Sequence, residues 1–478
     1  MLFNSLQFLI FFPIVVSIFF LLPQKRRWIL LLIASYYFYM CWKVEYIVLI
    51  IASTLIDYFV AQKMAALKEK VKRKKWLLIS LFSNLGILFG FKYFNFVNAN
   101  VQAIFDQFNV FYGVPAFDVL LPVGISFYTF QTLSYTIDVY NGKTPVQNHL
   151  GIFAVYVSFF PQLVAGPIER SNHLLPQFFV EHKFSYDRVK YGLQQMMWGF
   201  FKKVVIADRL AIVVDGVYNN LNNYSGISLL IATLFFTFQI YCDFSGYSDI
   251  AIGGARIFGF RIPINFNKPY FAMSPSDFWR RWHISLSSWL RDYLYFPLGG
   301  NKKSEVRTYF NLFVVMFLGG LWHGASWNFV LWGILHGAYL ASHKLLINKF
   351  PVLKNISFFK TKLGKIVAIL ITQYFVLLAW IPFRVQDTEH MFYSIQKFIL
   401  FDFDFLSTIE FISANHKITS LFIIIFIVLH IISFKNPDLI ERISRFRLIT
   451  WMLFLMVIML SIFLFYVGYD QNFIYFQF

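Results

Sequence analysis

TWMLFLMVIMLSIFLFYV, residues 450–467, runs without a single charged side chain. A helix rises 1.5 Å per residue, so about 20 mostly apolar residues span the ~30 Å hydrocarbon core of a bilayer. Mostly apolar runs of similar length also occupy residues 2–22, 76–96, 365–382 and 419–434. Hydrophobic residues make up 58% of the 478 positions and charged residues 14%, with 62 Phe. Soluble domains carry roughly a quarter charged residues. No core packed in water could hide this much apolar surface, so lipid must be the solvent for much of it. The predicted fold class is an all-α integral membrane protein. No internal repeat or low-complexity linker divides it, and residues 1–478 read as one polytopic membrane domain.

The first apolar run is expected to remain as a span. Residues 1–7 contain no Lys or Arg, no small-residue cleavage site follows the run, and the first basic cluster (Lys25, Arg26, Arg27) comes after it. The net charge of +18 is spread as short clusters between apolar spans. That pattern fits the positive-inside rule and argues against nucleic acid as a partner. The clusters at 25–27, 63–75, 344–365 and 435–447 are therefore assigned to the cytoplasm. Loops at 98–118 and 386–415 fall outside, and so do both termini. Residues 261–307 form a basic, aromatic segment too polar to span, placed on the cytoplasmic side. Cys41 and Cys242, the only cysteines, give neither a disulfide framework nor metal-ligand spacing.

Polar groups at membrane depth cost free energy unless they are paired or line a wet cavity, so they mark candidate sites. Ser126, Thr129, Gln131, Ser134 and Asp138 punctuate the apolar run 121–140. They serve either interhelical hydrogen bonding or substrate contact. Pro161, Gly166 and Pro167 interrupt the run 159–169, which predicts a broken or re-entrant helix. In Gln239-Ile-Tyr-Cys-Asp-Phe-Ser-Gly-Tyr-Ser-Asp249, the carboxylates of Asp243 and Asp249 either pair with an arginine or line a substrate tunnel. Asn265-Phe-Asn-Lys-Pro-Tyr270 follows.

Two histidines carry the chemistry. Ser276-Asp-Phe-Trp-Arg-Arg-Trp-His283 sits in the cytoplasmic-side segment, and Gly319-Gly-Leu-Trp-His323-Gly lies between apolar helices. The stretch 308–343 is basic at both flanks, so it should enter the membrane and return. His323 then lies roughly 20 Å along the helix axis from the cytoplasmic end. Burial favours the neutral imidazole, the form that accepts a proton. Histidines on apolar helices usually only pack, which suits His336, His343 and His430. His323 differs in being flanked by Trp322, Trp327 and glycines at a helix break. No His-Glu-x-x-His pattern or Cys/His cluster supports a metal.

These segments resemble the membrane-bound O-acyltransferase family, in particular its bacterial branch typified by alginate O-acetyltransferase and the teichoic-acid D-alanyl transfer protein. The matching stretches are 121–140, 160–167, 241–252, 277–300 and 320–324, within a core at 120–340. Residues 1–13 and Phe473-Ile-Tyr-Phe-Gln-Phe478 also look similar. The resemblance implies a funnel-shaped fold of about 11–13 spans or re-entrant helices, with a thin layer at His323 between cytoplasmic and external vestibules. It also implies that His323 is the catalytic base and His283 a second catalytic histidine.

On this reading a cytoplasmic acyl thioester, by resemblance acetyl-CoA, acts as donor substrate with no permanently bound cofactor. Arg280, Arg281 and Arg291 would meet its phosphates. Asp277, Trp279, Trp282, Asp292, Tyr241, Asp243, Trp322 and Asn328 are further candidates for substrate or donor contact. The acceptor would be an extracytoplasmic polysaccharide, or a periplasmic or surface partner of the SGNH type, and the location a bacterial inner membrane. The imidazole of His323 should stand where a route from inside meets one from outside. The alternatives are D-alanyl transfer from a carrier protein, a glycan or lipid flippase, for which paired broken helices in two related halves are lacking, and a scaffold, which leaves both histidines unexplained.

Overall fold

The computed structural model describes residues 1–478 apart from 118, 119, 165, 222, 223, 225, 353–355, 401–405, 407–416, 469–472, 477 and 478. Every regular element among the described residues is helical. Among them, seven helices are long and apolar enough to cross a membrane: Val44–Ala65, Lys70–Gln107, Gly226–Phe258, Trp327–Lys349, Lys362–Arg384, Lys417–Lys435 and Leu448–Phe465. The all-α membrane class expected from composition is what the chain adopts. It divides into two compact units, Met1–Leu193 with Ala251–Pro263, and Gln194–Ile250 with Ile264–Phe478.

In the first unit the expected external loop at 98–118 is partly helix. The chain continues from Lys70–Leu88 through one wide turn, Phe89–Tyr93, into the helix Phe94–Gln107. No proline interrupts it, and it stops only where Asn109 takes up positive φ, 52°. Position 118 of that loop lies outside the described residues.

The polar side chains of the run 121–140 pack between helices. Asp57, fully buried, accepts from Ser80 Oγ at 2.6 Å and from Asn84 Nδ2 at 2.9 and 3.0 Å. Ser80 also reaches Thr136 at 3.0 Å, and Gln131 Nε2 donates to the carbonyl of Tyr156 at 2.5 Å. The break expected at 159–169 is present, with Leu150–Ser158 ending at Phe159 and a short helix Phe160–Leu163 following.

The second unit holds the histidines. Glu305–His323 and Trp327–Lys349 form an antiparallel hairpin whose basic ends lie together, as the charge pattern required. Glycines set its closeness. A Cβ on Gly320 would stand 2.3 Å from the carbonyl oxygen of Phe329 and 3.1 Å from Cα of Gly333. These glycines admit a neighbouring backbone rather than a substrate. Gly320→Ala therefore forces the hairpin apart and should cost about 1–3 kcal/mol, the range for overpacking a tight interior. Thermal unfolding in detergent should show a lowered midpoint, whereas an unchanged one would mean that the helices separate freely.

Candidate active site

His323 ends the first hairpin helix because Gly324 turns the backbone extended, φ −161° and ψ 152°. Ser326 begins the next helix two residues later. His283 caps the helix Ile284–Leu290 from a left-handed conformation, φ 43° and ψ 55°. Such a backbone is unfavourable for a residue with a Cβ and persists only where surrounding contacts impose it. Both rings are buried, with His283 0% and His323 3% exposed. Burial pushes the His283 imidazole down to about 3, so it is neutral across the physiological range.

Aromatic rings join the two histidines, which stand 40 positions apart in sequence. Trp322 lies 5.9 Å from His283 and 5.1 Å from His323, centroid to centroid. Tyr475 faces both, at 6.3 Å and 5.4 Å. Trp332 at 4.8 Å and Phe383 at 5.2 Å complete the surround of His323, and Phe244 at 4.6 Å flanks His283. The result is a largely apolar cluster of rings holding two imidazoles. An open ring between two routes was expected at His323. The ring is instead enclosed, because large aromatic side chains fill the space around it.

A buried ion network stands beside this cluster. The wide helical turn Phe201–Ala207 carries Lys202 and Lys203 towards the helix Gly226–Phe258. Gly199 and Gly246 let the two backbones meet, since a Cβ on either would lie within 2.8 Å of the other's carbonyl oxygen. Lys203 Nζ bridges Asp243 at 2.7 Å and Asp208 at 2.9 Å, all three side chains being buried. Lys202 Nζ meets Asp249 at 2.6 Å and Ser245 Oγ at 2.8 Å. Of the two readings of these aspartates, ion pairing holds, with a pair of lysines in place of an arginine. Asp243 also accepts the backbone N–H of Ile474 at 2.7 Å, which ties the segment bearing Tyr475 beside the histidines.

The other sequence-derived candidates are distributed unevenly. Tyr241 and Trp282 are buried in an aromatic cluster, 6.3 Å apart. Trp279 donates from Nε1 to His336 Nδ1 at 3.3 Å, while the Trp332 ring touches His336 at 4.7 Å as well as His323. His336 therefore belongs to the same aromatic chain and not to an isolated packing site. Arg281 pairs with Asp277, and Arg291 with Asp292, both at 2.9 Å. Arg280 and Arg291 are exposed. Asn328 is not among the rings around His323. Its Nδ2 donates to the carbonyls of Val385 and Gln386, at 2.5 and 3.0 Å, pinning the end of the helix Lys362–Arg384.

Sequence reading missed Lys202 and Lys203, although two lysines inside the apolar stretch Phe-Lys-Lys-Val-Val matched two aspartates six residues apart. Trp332 and Phe383 carried no signal beyond being aromatic. Tyr475 lies in the terminal segment noted for its resemblance. Residues 469–472, 477 and 478 of that end lie outside the described residues, as does most of the expected external loop 386–415 beyond the helix Thr388–Leu400.

Comparison with known proteins bears on the same residues. The sequence pattern of the membrane-bound O-acyltransferase family matches residues 149–386, a range that contains both histidines and the lysine–aspartate network. The chain is 45% identical over 351 residues to a probable alginate O-acetylase AlgI of Pseudomonas putida, covering 72% of this chain and 71% of that one. It is 37% identical over 377 residues to a peptidoglycan O-acetyltransferase of Helicobacter pylori, covering 73% and 69%. With a teichoic acid D-alanyltransferase of Bacillus subtilis it shares 28% identity over 304 residues, covering 58% and 72%. A polytopic helical chain with two histidines in one aromatic cluster and these relatives is an acyltransferase, and it belongs to the membrane-bound O-acyltransferase family.

Proposed function

We propose that the protein transfers an acetyl group from cytoplasmic acetyl-CoA to a hydroxyl on the outer side of a bacterial cytoplasmic membrane, borne by a polysaccharide or by an SGNH-type partner protein. The observation that carries this reading is the pairing of His283 and His323 across Trp322 and under Tyr475, with both side chains buried among aromatic rings. A neutral imidazole accepts the hydroxyl proton as the oxygen attacks the thioester carbonyl carbon. The new C–O bond forms, the C–S bond breaks, and the departing thiolate takes up the proton. His323, at the hairpin tip, is assigned as the base, and His283 as the group that orients the donor or relays the proton.

Charge supports the direction. Arg280 and Arg291 are exposed on the segment that also carries Lys302, Lys303 and Arg307, and phosphates of a coenzyme suit such a surface. The positive-inside rule puts that segment in the cytoplasm and both termini outside. His323 is buried, so access for reactants depends on movement of a neighbouring ring. Tyr475 is the neighbouring ring carried on the terminal segment that Asp243 holds.

Acetyl transfer is preferred to D-alanyl transfer because the O-acetylating relatives are at 45% and 37% identity and the D-alanyl one at 28%. Incubation of the purified protein and an acceptor extract with radiolabelled acetyl-CoA should label acceptor material without any carrier protein. Label appearing only from D-alanine loaded on a carrier would reverse the assignment.

A further inference from the structure

The segment Asn265-Phe-Asn-Lys-Pro-Tyr270 lies directly against His283. Ile284 N–H donates to the carbonyl of Asn265, and Asn267 N–H donates to the carbonyl of Arg281, both at 2.9 Å. These two backbone bonds bracket His283 and hold the chain on either side of its left-handed turn. The side chain of Asn265, 1% exposed, closes the bracket. Its Oδ1 stands 3.1 Å from Ser285 N, 2.9 Å from Ser285 Oγ and 3.2 Å from His283 Nδ1.

That arrangement fixes a proton. A backbone N–H can only donate, so the Asn265 atom facing Ser285 N is the oxygen and not the amide nitrogen. The same oxygen faces His283 Nδ1 and can only accept. Nδ1 must therefore carry the hydrogen, and in the neutral ring this leaves Nε2 as the proton-accepting nitrogen. We infer that Asn265 is a positioning residue for the acyl transfer: it selects the Nδ1–H tautomer of His283 and holds the left-handed backbone that turns the ring towards Trp322 and Tyr475. The inference rests on the catalytic reading of His283 given above, but the tautomer itself is a property of the resting protein.

Nitrogen NMR of the full-length protein, labelled at its histidine ring nitrogens, reads the tautomer without donor or acceptor. The His283 resonances are identified by their loss in His283→Gln. The wild type should show a protonated Nδ1 and a bare Nε2. Asn265→Asp keeps an accepting oxygen beside Nδ1, so Nδ1 should stay protonated, while the negative charge buried beside the ring favours a second proton on Nε2 and should lower turnover. Asn265→Ala should lose the fixed tautomer and lower turnover roughly 10–100-fold, the usual scale for removing a group that orients a functional histidine. Should Asn265→Ala not fold, the wild type and Asn265→Asp decide the matter. A proton on Nε2 of His283 in the wild type overturns the inference, and so does wild-type turnover in Asn265→Ala. Neither result touches the assignment of His323 as the base, which the His323 variants test.

Discussion

Replacing His323 with Gln or Ala should lower acyl transfer about 10²–10⁴-fold, the typical contribution of a positioned general base. The ring is enclosed by Trp322, Trp332, Phe383 and Tyr475, so truncation to Ala also opens a space among aromatic side chains. Gln keeps most of the volume and the polarity but cannot act as a base near neutrality. Both variants should be made for that reason. If the ring served packing alone, Gln would retain turnover and only Ala would suffer, through a lowered melting temperature. If it is the base, both lose turnover to a similar degree, and the Michaelis constant for the donor changes little, because the lost interaction belongs to the transition state. Steady-state assays on purified, monodisperse protein separate the two.

The second large effect concerns stability. Lys203→Met should destabilise the protein by about 3–5 kcal/mol, because it leaves buried carboxylates without the ammonium between them. Asp243 and Asp208 both lie against Lys203 Nζ in the native state. Removing charge on all three, as Lys203→Met with Asp208→Asn and Asp243→Asn, should recover much of the loss, since a neutral set carries no such desolvation cost. Thermal unfolding in one detergent at fixed protein concentration measures both. Equal midpoints for the wild type and Lys203→Met would mean that water reaches these groups and that the network does not hold the turn Phe201–Ala207. The Asp243 bond to Ile474 N–H gives the network a second consequence, because loosening it frees the segment carrying Tyr475.

How much of this was legible in the sequence depends on the reach of each signal. Hydropathy is a local property, and it identified the helices 362–384, 417–435 and 448–465 to within a few residues. Paired basic flanks revealed the hairpin at 305–349 for the same reason. The extension of the helix to Gln107 was missed, because uncharged polar residues such as Asn98, Asn100 and Gln102 look like loop yet are tolerated in a helix that has no breaker. At the site, His283 and His323 stood out as polar groups in apolar runs. Their shared contact with Trp322 and Tyr475 is a matter of tertiary packing between segments up to 192 positions apart, from His283 to Tyr475, and nothing local encodes it. The lysine–aspartate pairs show the same limit. The aspartates were visible as anomalies, but their partners were assigned to the wrong residue type.

Asn328 was named among the candidates for substrate or donor contact. Its two bonds to the backbone at Val385 and Gln386 show a helix end being satisfied instead. A buried polar residue beside a functional one is as often there to hold the scaffold as to touch the reactants.

Proteoliposomes with one orientation of the protein, loaded with a glycan acceptor on the outer-facing side and supplied with radiolabelled acetyl-CoA only on the face bearing Arg280 and Arg291, test the central claim most directly. Label should appear on the acceptor across the membrane with the wild type and be nearly absent with His323→Gln. Equal labelling by the two proteins, or passage of glycan or lipid without any acyl donor, would contradict it.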